Sequence, residues 1–163
     1  MCGNYLICLA ALLLPSAAKS GPGACLTALA PSPPFVPPAP YDSVRQPDGT
    51  FWYGTAELWT DISVEGVWHL TNNSDTDGGY VTKLVFWAKG FDWRKEPNPE
   101  LILTARRTDG DSPSVAVAHA NAVFITGKTP AMMTGIRIPT SGCWEITGHY
   151  RSKTLTFTVS VEP

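Results

Sequence analysis

Apolar and polar residues alternate along the last part of the chain. In KTLTFTVSVE (153–162) every second residue from the leucine onward is apolar, and threonine or serine stands between them. The preceding stretch GCWEITGHY (142–150) alternates in the same way, and residues 151–153 supply a turn. Because neighbouring side chains of a strand point to opposite faces, a period of two predicts half-buried strands. Residues 142–162 are therefore predicted to form an antiparallel hairpin.

Short runs of this kind, separated by turn-forming clusters, continue through the chain from Tyr41 onward. Further strands are predicted in YVTKLVFWAK (80–89), LILTARR (101–107), SVAVAHA (114–120) and MMTGIRIP (132–139). No stretch shows sustained helical periodicity. Seven or so short strands with turns at near-regular spacing predict an all-β domain, an antiparallel β-sandwich over residues 41–163.

The N-terminus has the pattern of a secretory signal peptide. Residues 5–14 are apolar and uncharged, too short a run to span a bilayer as a helix, and small residues follow near Ser20. We predict a signal peptide over residues 1–20 and export to the periplasm or the extracellular space. No lysine or arginine precedes the run, which leaves open a misassigned start with a fortuitous apolar stretch.

A proline-rich segment follows over residues 21–40. Proline fixes φ and removes a backbone donor, so this segment is predicted to be extended and not to form a helix or an inner strand. It is interpreted as a linker. It would act either as a spacer that holds the domain away from a surface or as a strip that lies against the domain.

The number of cysteines bears on the cellular compartment of the protein. The chain has four, and Cys2 and Cys8 would leave with the signal peptide. Two cysteines that remain in an oxidising compartment normally pair, so we predict a disulfide between Cys25 and Cys143. The rival interpretation makes Cys25 a lipidated N-terminal cysteine, since small residues precede it. Contact with a membrane is expected only in that case.

Gly142-Cys143-Trp144 resembles the triplet that carries the nucleophile of papain-like cysteine proteases. Those enzymes place the cysteine at the start of a helix and pair it with a distant histidine. Here the triplet lies on a predicted strand, and the one downstream histidine, His149, is several strand residues away. We therefore predict that Cys143 is structural and that the protein is not an enzyme.

No motif supports a metal ion or a cofactor. NSDTDGG (73–79) resembles the opening of an EF-hand calcium loop, but Leu84 occupies the position of the closing carboxylate. The three histidines have no local ligand spacing. We predict neither a metal site nor a cofactor.

The tryptophans are the candidates for a ligand or partner surface. If their segments are extended, Trp52 faces away from Phe51 and Trp87 faces away from Phe86. Trp52, Trp87 and Trp93 are therefore proposed as a surface that stacks on sugar rings or docks a partner. The alternatives are a two-sided core or an aromatic surface covered by the N-terminal strip.

Two resemblances extend this interpretation. The closing hairpin, with its Gly-x-Trp-x-Ile-x-Gly-x-Tyr rhythm, resembles the last two strands of bacterial immunoglobulin-like domains, which implies an immunoglobulin-like sandwich. FWYGTAELWT (51–60), GFDWRKEPNPEL (90–101) and GCWEITGHY together resemble a group of small exported bacterial proteins. That resemblance implies export and a β-rich domain, and it implies no catalytic residue.

The charge and composition of the chain argue against some classes of function. The net charge is −2 with no basic stripe, which argues against nucleic acid as a partner. We expect an exported, non-enzymatic binding or envelope-structural domain of unknown ligand, whose partner is an envelope protein or a glycan. The first alternative is a carbohydrate-binding module with coplanar, exposed Trp and Tyr rings. The second is a hydrolase with a dispersed site, which would show a deep cleft.

We predict that the mature protein, purified from its exporting host, begins at Gly21 and carries two thiols that alkylate only after reduction. Intact mass before and after reduction and alkylation measures both properties. A start at Cys25 with added acyl mass would instead identify a membrane-anchored lipoprotein.

Overall fold

Ten β-strands and no helix are present in the computed structural model, which describes residues 25–41, 46–70, 79–125 and 129–163. The strands are β1 (Thr50–Gly54), β2 (Leu58–Ser63), β3 (Val67–His69), β4 (Tyr80–Ala88), β5 (Leu101–Arg107), β6 (Val115–Val117), β7 (Asn121–Ile125), β8 (Thr129–Ile138), β9 (Gly142–Tyr150) and β10 (Lys153–Glu162). None of the described residues forms a helix that could span a membrane. The predicted signal peptide and residues 73–78 lie outside the described residues.

The strands form two five-stranded sheets. The β4 sheet has the order β1-β2-β4-β8-β7, and the β9 sheet has the order β3-β10-β9-β5-β6. The chain leaves the first sheet after β2 and enters the second at β3, which pairs parallel to β10, while the other pairs are antiparallel. The β9 sheet is therefore mixed. The orders β2-β4-β8-β7 and β10-β9-β5 correspond to the ABED and GFC sheets of an immunoglobulin-like sandwich, the fold class that was predicted.

The β9–β10 hairpin has the predicted alternation and a tight turn. Trp144 pairs with Val159 and Ile146 with Phe157, so their apolar side chains share the inner face. Arg151 begins the turn with a φ of 55°, in the left-handed region. The strand pattern predicts the other elements less well: β6 is shorter than the predicted strand, and β8 begins before its predicted start.

The core lies between the inner faces of the two sheets. Its largest fully buried side chains include Phe86 from the β4 sheet and Trp144 and Tyr150 from the β9 sheet. The Trp144 indole N–H donates to the Thr140 carbonyl at 3.0 Å, which satisfies its one polar group in the turn before β9. Immunoglobulin-like sandwiches use a tyrosine for a similar bond near the start of the equivalent strand.

Residues 25–41, here called the strap, lie against the sandwich. Cys25 forms a disulfide with Cys143 on β9, and the Ala28 N–H donates to the Thr158 carbonyl on β10 at 2.8 Å. The strap then reaches the outer face of the β4 sheet, where Phe35 and Tyr41 contact Trp59. The described part of the proline-rich segment is therefore a strip on the domain surface.

Gly148 on β9 provides a test of the close packing between the sheets. A Cβ atom there would lie 2.7 Å from Cε1 of the fully buried Phe86, whereas a Cβ at Gly135 on β8 would meet nothing closer than 3.8 Å. We expect Gly148→Ala to lower the free energy of unfolding by about 1–3 kcal/mol through overpacking. Gly135→Ala, the matched control, should leave it unchanged or slightly raised. Urea unfolding of the two variants measures the difference, and equal stabilities would contradict the predicted overpacking.

Candidate binding surface

Three tryptophans lie together on the outer face of the β4 sheet. Trp59 on β2 stands directly opposite Trp87 on β4, and the rings of Trp52 and Trp87 are perpendicular with centroids 5.0 Å apart. Strand alternation places them here, because Phe51, Leu58 and Phe86 point into the core. These three residues are called the tryptophan face.

The strap covers the tryptophan face. Phe35 and Tyr41 meet the Trp59 ring edge-on, with centroids 6.4 and 5.2 Å from it, and Pro37 is buried nearby along the chain. The exposed fractions of Trp52, Trp59 and Trp87 are 7 %, 0 % and 2 %. Trp52 and Trp87, two of the residues proposed from the sequence as a ligand or partner surface, therefore belong to a second buried aromatic cluster beneath the protein's own N-terminal segment.

Trp59 is the member of this face that the sequence analysis did not single out. The signal was present, since Trp59 alternates with Leu58 and Thr60 as Trp87 alternates with Phe86 and Ala88. What the sequence lacks is the register that pairs the two tryptophans. That register follows from the pairing of β2 with β4, and no local pattern encodes it.

The contacts of the tryptophan face are apolar, and two of its donors lack acceptors. The indole N–H groups of Trp59 and Trp87 are buried without a hydrogen-bond partner in the described part of the chain. A buried donor left unpaired costs about 1–3 kcal/mol. The strap thus covers these rings with other rings and with proline, and it offers no acceptor to either indole.

Asp61 lies beside this cluster, in register opposite Trp52 and on the same face of the sheet. Burial raises the pKa of its carboxyl above the ordinary value, because a charged carboxylate loses hydration there. No salt bridge between described residues involves Asp61. The edge of the tryptophan face therefore holds an acid that is poorly solvated when ionised.

Trp93, the third residue proposed from the sequence, lies apart from the tryptophan face. It follows β4 in the loop before β5, and its ring meets that of Phe124 on β7 at 4.9 Å and 78°. The Arg94 guanidinium is 4.6 Å from the Trp93 ring centroid. Phe124 is 46 % exposed on a strand at the edge of its sheet. Trp93 and Phe124 are called the edge pair.

The loop that carries Trp93 is anchored at two adjacent residues, Glu96 and Pro97. The Tyr150 hydroxyl donates to Glu96 Oε2 at 2.8 Å, and the Arg151 guanidinium donates to the other oxygen of that carboxylate. The pKa of Tyr150 is raised, first by burial and then by this carboxylate. The Ala122 N–H of β7 donates to the Pro97 carbonyl at 2.9 Å. The edge pair is therefore supported by the core hairpin and by β7.

The remaining polar groups are dispersed. An open concavity of about 460 Å³ is lined by Arg106, Arg107 and residues 110–113, and Arg107 Nε lies 2.7 Å from Asp109 Oδ1. Across the described ranges, no three His, Cys, Asp or Glu side chains are grouped as a metal site. Cys143 has no thiol, because its sulfur is bonded to that of Cys25. The aromatic surfaces are thus the features with the clearest binding chemistry.

Comparison of the chain with protein families, curated proteins and solved structures returns no match. The resemblance to small exported bacterial proteins therefore stays a prediction.

Asp61→Asn is expected to change stability in a pH-dependent way. Since the folded-state pKa of Asp61 is raised, the wild type loses stability as pH rises from the ordinary value of 3.8 to the folded pKa. Asparagine does not ionise, so the variant does not lose stability in this way and should be more stable than wild type at pH 7. Its advantage should disappear below about pH 4. Urea unfolding across this pH range measures the trend.

Asp109→Asn supplies a control of opposite sign. The hydrogen bond from Arg107 lowers the pKa of Asp109, so its contribution to stability is present at neutral pH and is lost as pH falls through its folded pKa. This variant should be less stable than wild type at pH 7, and the deficit should shrink in acid. If both variants followed the same trend, the assignment of Asp61 would be wrong.

Proposed function

We propose that this chain is an exported, non-enzymatic binding domain whose partner is an envelope protein, and that the edge pair is its docking surface. The observation that carries the proposal is the exposed Phe124 ring on an edge strand, braced by Trp93 from an anchored loop. Aromatic residues supply large, rigid contact areas in protein interfaces.

Export is supported by two features. The apolar run at residues 5–14 has the length of a signal-peptide core, and the disulfide between Cys25 and Cys143 suits an oxidising compartment. The same disulfide argues against Cys143 as a catalytic nucleophile, because it removes the thiol that such a nucleophile requires.

The geometry of the edge pair favours a protein over a glycan. Sugar rings stack on flat aromatic faces, and a polysaccharide site is expected to present such faces in one plane. Here the two rings are 78° apart, and the guanidinium of Arg94 lies over the ring of Trp93. A perpendicular pair suits a side chain inserted against it better than a flat pyranose.

Site-specific photocrosslinking in the exporting host tests this proposal. A benzophenone amino acid is placed at position 124, and separately at Val81 and Ile102, which are each 43 % exposed, against 46 % for Phe124. We expect one discrete crosslinked envelope protein from position 124 and none from the two control positions. The crosslink should be lost when Trp93→Ala is added, because the bracing ring is gone.

Two outcomes would overturn the docking surface. The first is an equal crosslink from all three positions, which would indicate random collision. The second is no crosslink at position 124 together with a tryptophan fluorescence change on adding polysaccharide, which would favour the carbohydrate-binding alternative.

A further inference from the structure

We propose that the tryptophan face is a binding site for an extended, proline-rich segment of another polypeptide, and that the strap occupies this site in cis. This site is separate from the edge pair, and the proposal for it does not depend on the function proposed for the edge pair. The chemistry of the occupant is taken from the strap itself, which is seated on the face through the stretch PSPPFVPPAPY (31–41).

The strap has the character of a polyproline ligand. Proline lacks an N–H and favours an extended backbone, so such a segment loses little entropy when it docks on aromatic rings. The strap presents Phe35 and Tyr41 edge-on to Trp59, with the buried Pro37 between them in sequence. Aromatic-lined surfaces of this kind are one of the recurring ways in which proteins bind proline-rich segments.

The two unpaired indole donors indicate a ligand that supplies hydrogen-bond acceptors where the strap supplies none. Aromatic sites for proline-rich segments use ring N–H or O–H groups to bind the carbonyl oxygens of the ligand, and proline leaves those oxygens free. Trp59 and Trp87 each bring such a donor, both are almost fully buried, and neither has an acceptor among the described residues. If the face served only for packing against the strap, it would need no hydrogen-bond donors. A segment whose carbonyls align with these indoles would form hydrogen bonds that the strap does not form.

The strap is attached covalently at its start, and some of its side chains remain exposed. Leu29 and Val36 are exposed, so these two strap side chains add little to its contacts with the domain. Among the described residues, the backbone hydrogen bond that joins the strap to a strand is at Ala28, before the proline stretch. The disulfide at Cys25 keeps residues 31–41 near the face at a high effective concentration. A segment from another chain can therefore replace residues 31–41 while Cys25 stays bonded.

A synthetic peptide of residues 30–41, APSPPFVPPAPY, labelled with a fluorophore, tests the site by fluorescence anisotropy. The cis competitor is weakened in the full chain, with the disulfide intact, by Phe35→Ala with Tyr41→Ala. We expect this variant to bind the peptide at least tenfold more tightly than the wild type, because the face is no longer filled in cis. The matched control, Leu29→Ala with Val36→Ala, changes exposed strap residues and should bind as the wild type does.

Two further variants test the chemistry of recognition. Adding Trp59→Leu to the weakened-strap protein removes the ring that Phe35 and Tyr41 contact, and should lower the affinity at least fivefold. A peptide with Phe35→Ala and Tyr41→Ala should bind at least tenfold more weakly than the parent peptide. Saturable binding with these dependences supports the site.

The wild type itself supplies a readout that does not depend on any variant folding. The backbone amide resonances of Phe35 and Tyr41 in the ¹⁵N-labelled wild type should shift when excess unlabelled peptide displaces the strap, and the indole resonance of the core Trp144 should not. No saturable anisotropy change with a folded weakened-strap variant up to about 1 mM peptide, or no shift of either strap resonance, would overturn the proposal. A wild-type dimer that the peptide dissociates would support it, with a second copy as the source of the segment.

Discussion

The β4 sheet is apolar on both faces, and the rest of the structure depends on how each face is covered. Alternation along β1, β2 and β4 sends Phe51, Leu58 and Phe86 inward and sends the tryptophan face outward. The inner face is covered by the β9 sheet, as in any sandwich. Without a cover, the outer face would expose three large indole rings to water. Burial of large aromatic side chains stabilises the folded state, because apolar surface is removed from water. A third layer is therefore required, and the strap supplies it.

The disulfide explains how a proline-rich segment can serve as that layer. Prolines remove the N–H groups that would let the strap pair as an added strand, so its contacts must come from side chains and from covalent attachment. Cys25 and Cys143 are 118 residues apart in sequence, and closing a loop of that size stabilises the fold by about 5 kcal/mol in the chain-entropy description. One bond thus links the start of the strap to a central strand of the opposite sheet, and the tryptophan face is covered as a consequence.

The sequence predicts what is local and misses what depends on register. The period of two identified the β9–β10 hairpin and separated Trp52 from Phe51, because both follow from strand geometry alone. The cysteine count led to the Cys25–Cys143 pair, since only two cysteines remain after the signal peptide. The path of the strap could not be predicted in the same way: proline fixes its conformation but not the surface on which it lies. The contact between Trp93 and Phe124 could not be predicted either, because it depends on the pairing of β7 with β8.

The two aromatic surfaces differ in a way that bears on function. The edge pair is open, perpendicular and partly capped by Arg94, so it presents a small surface of fixed shape. The tryptophan face consists of three rings, is almost wholly buried and carries two donors that its present cover leaves unpaired. Native proteins rarely bury donors without acceptors, and a ligand whose carbonyl oxygens reached these two indoles would complete their hydrogen bonding. The strap is therefore better understood as an occupant of the tryptophan face than as part of its permanent core.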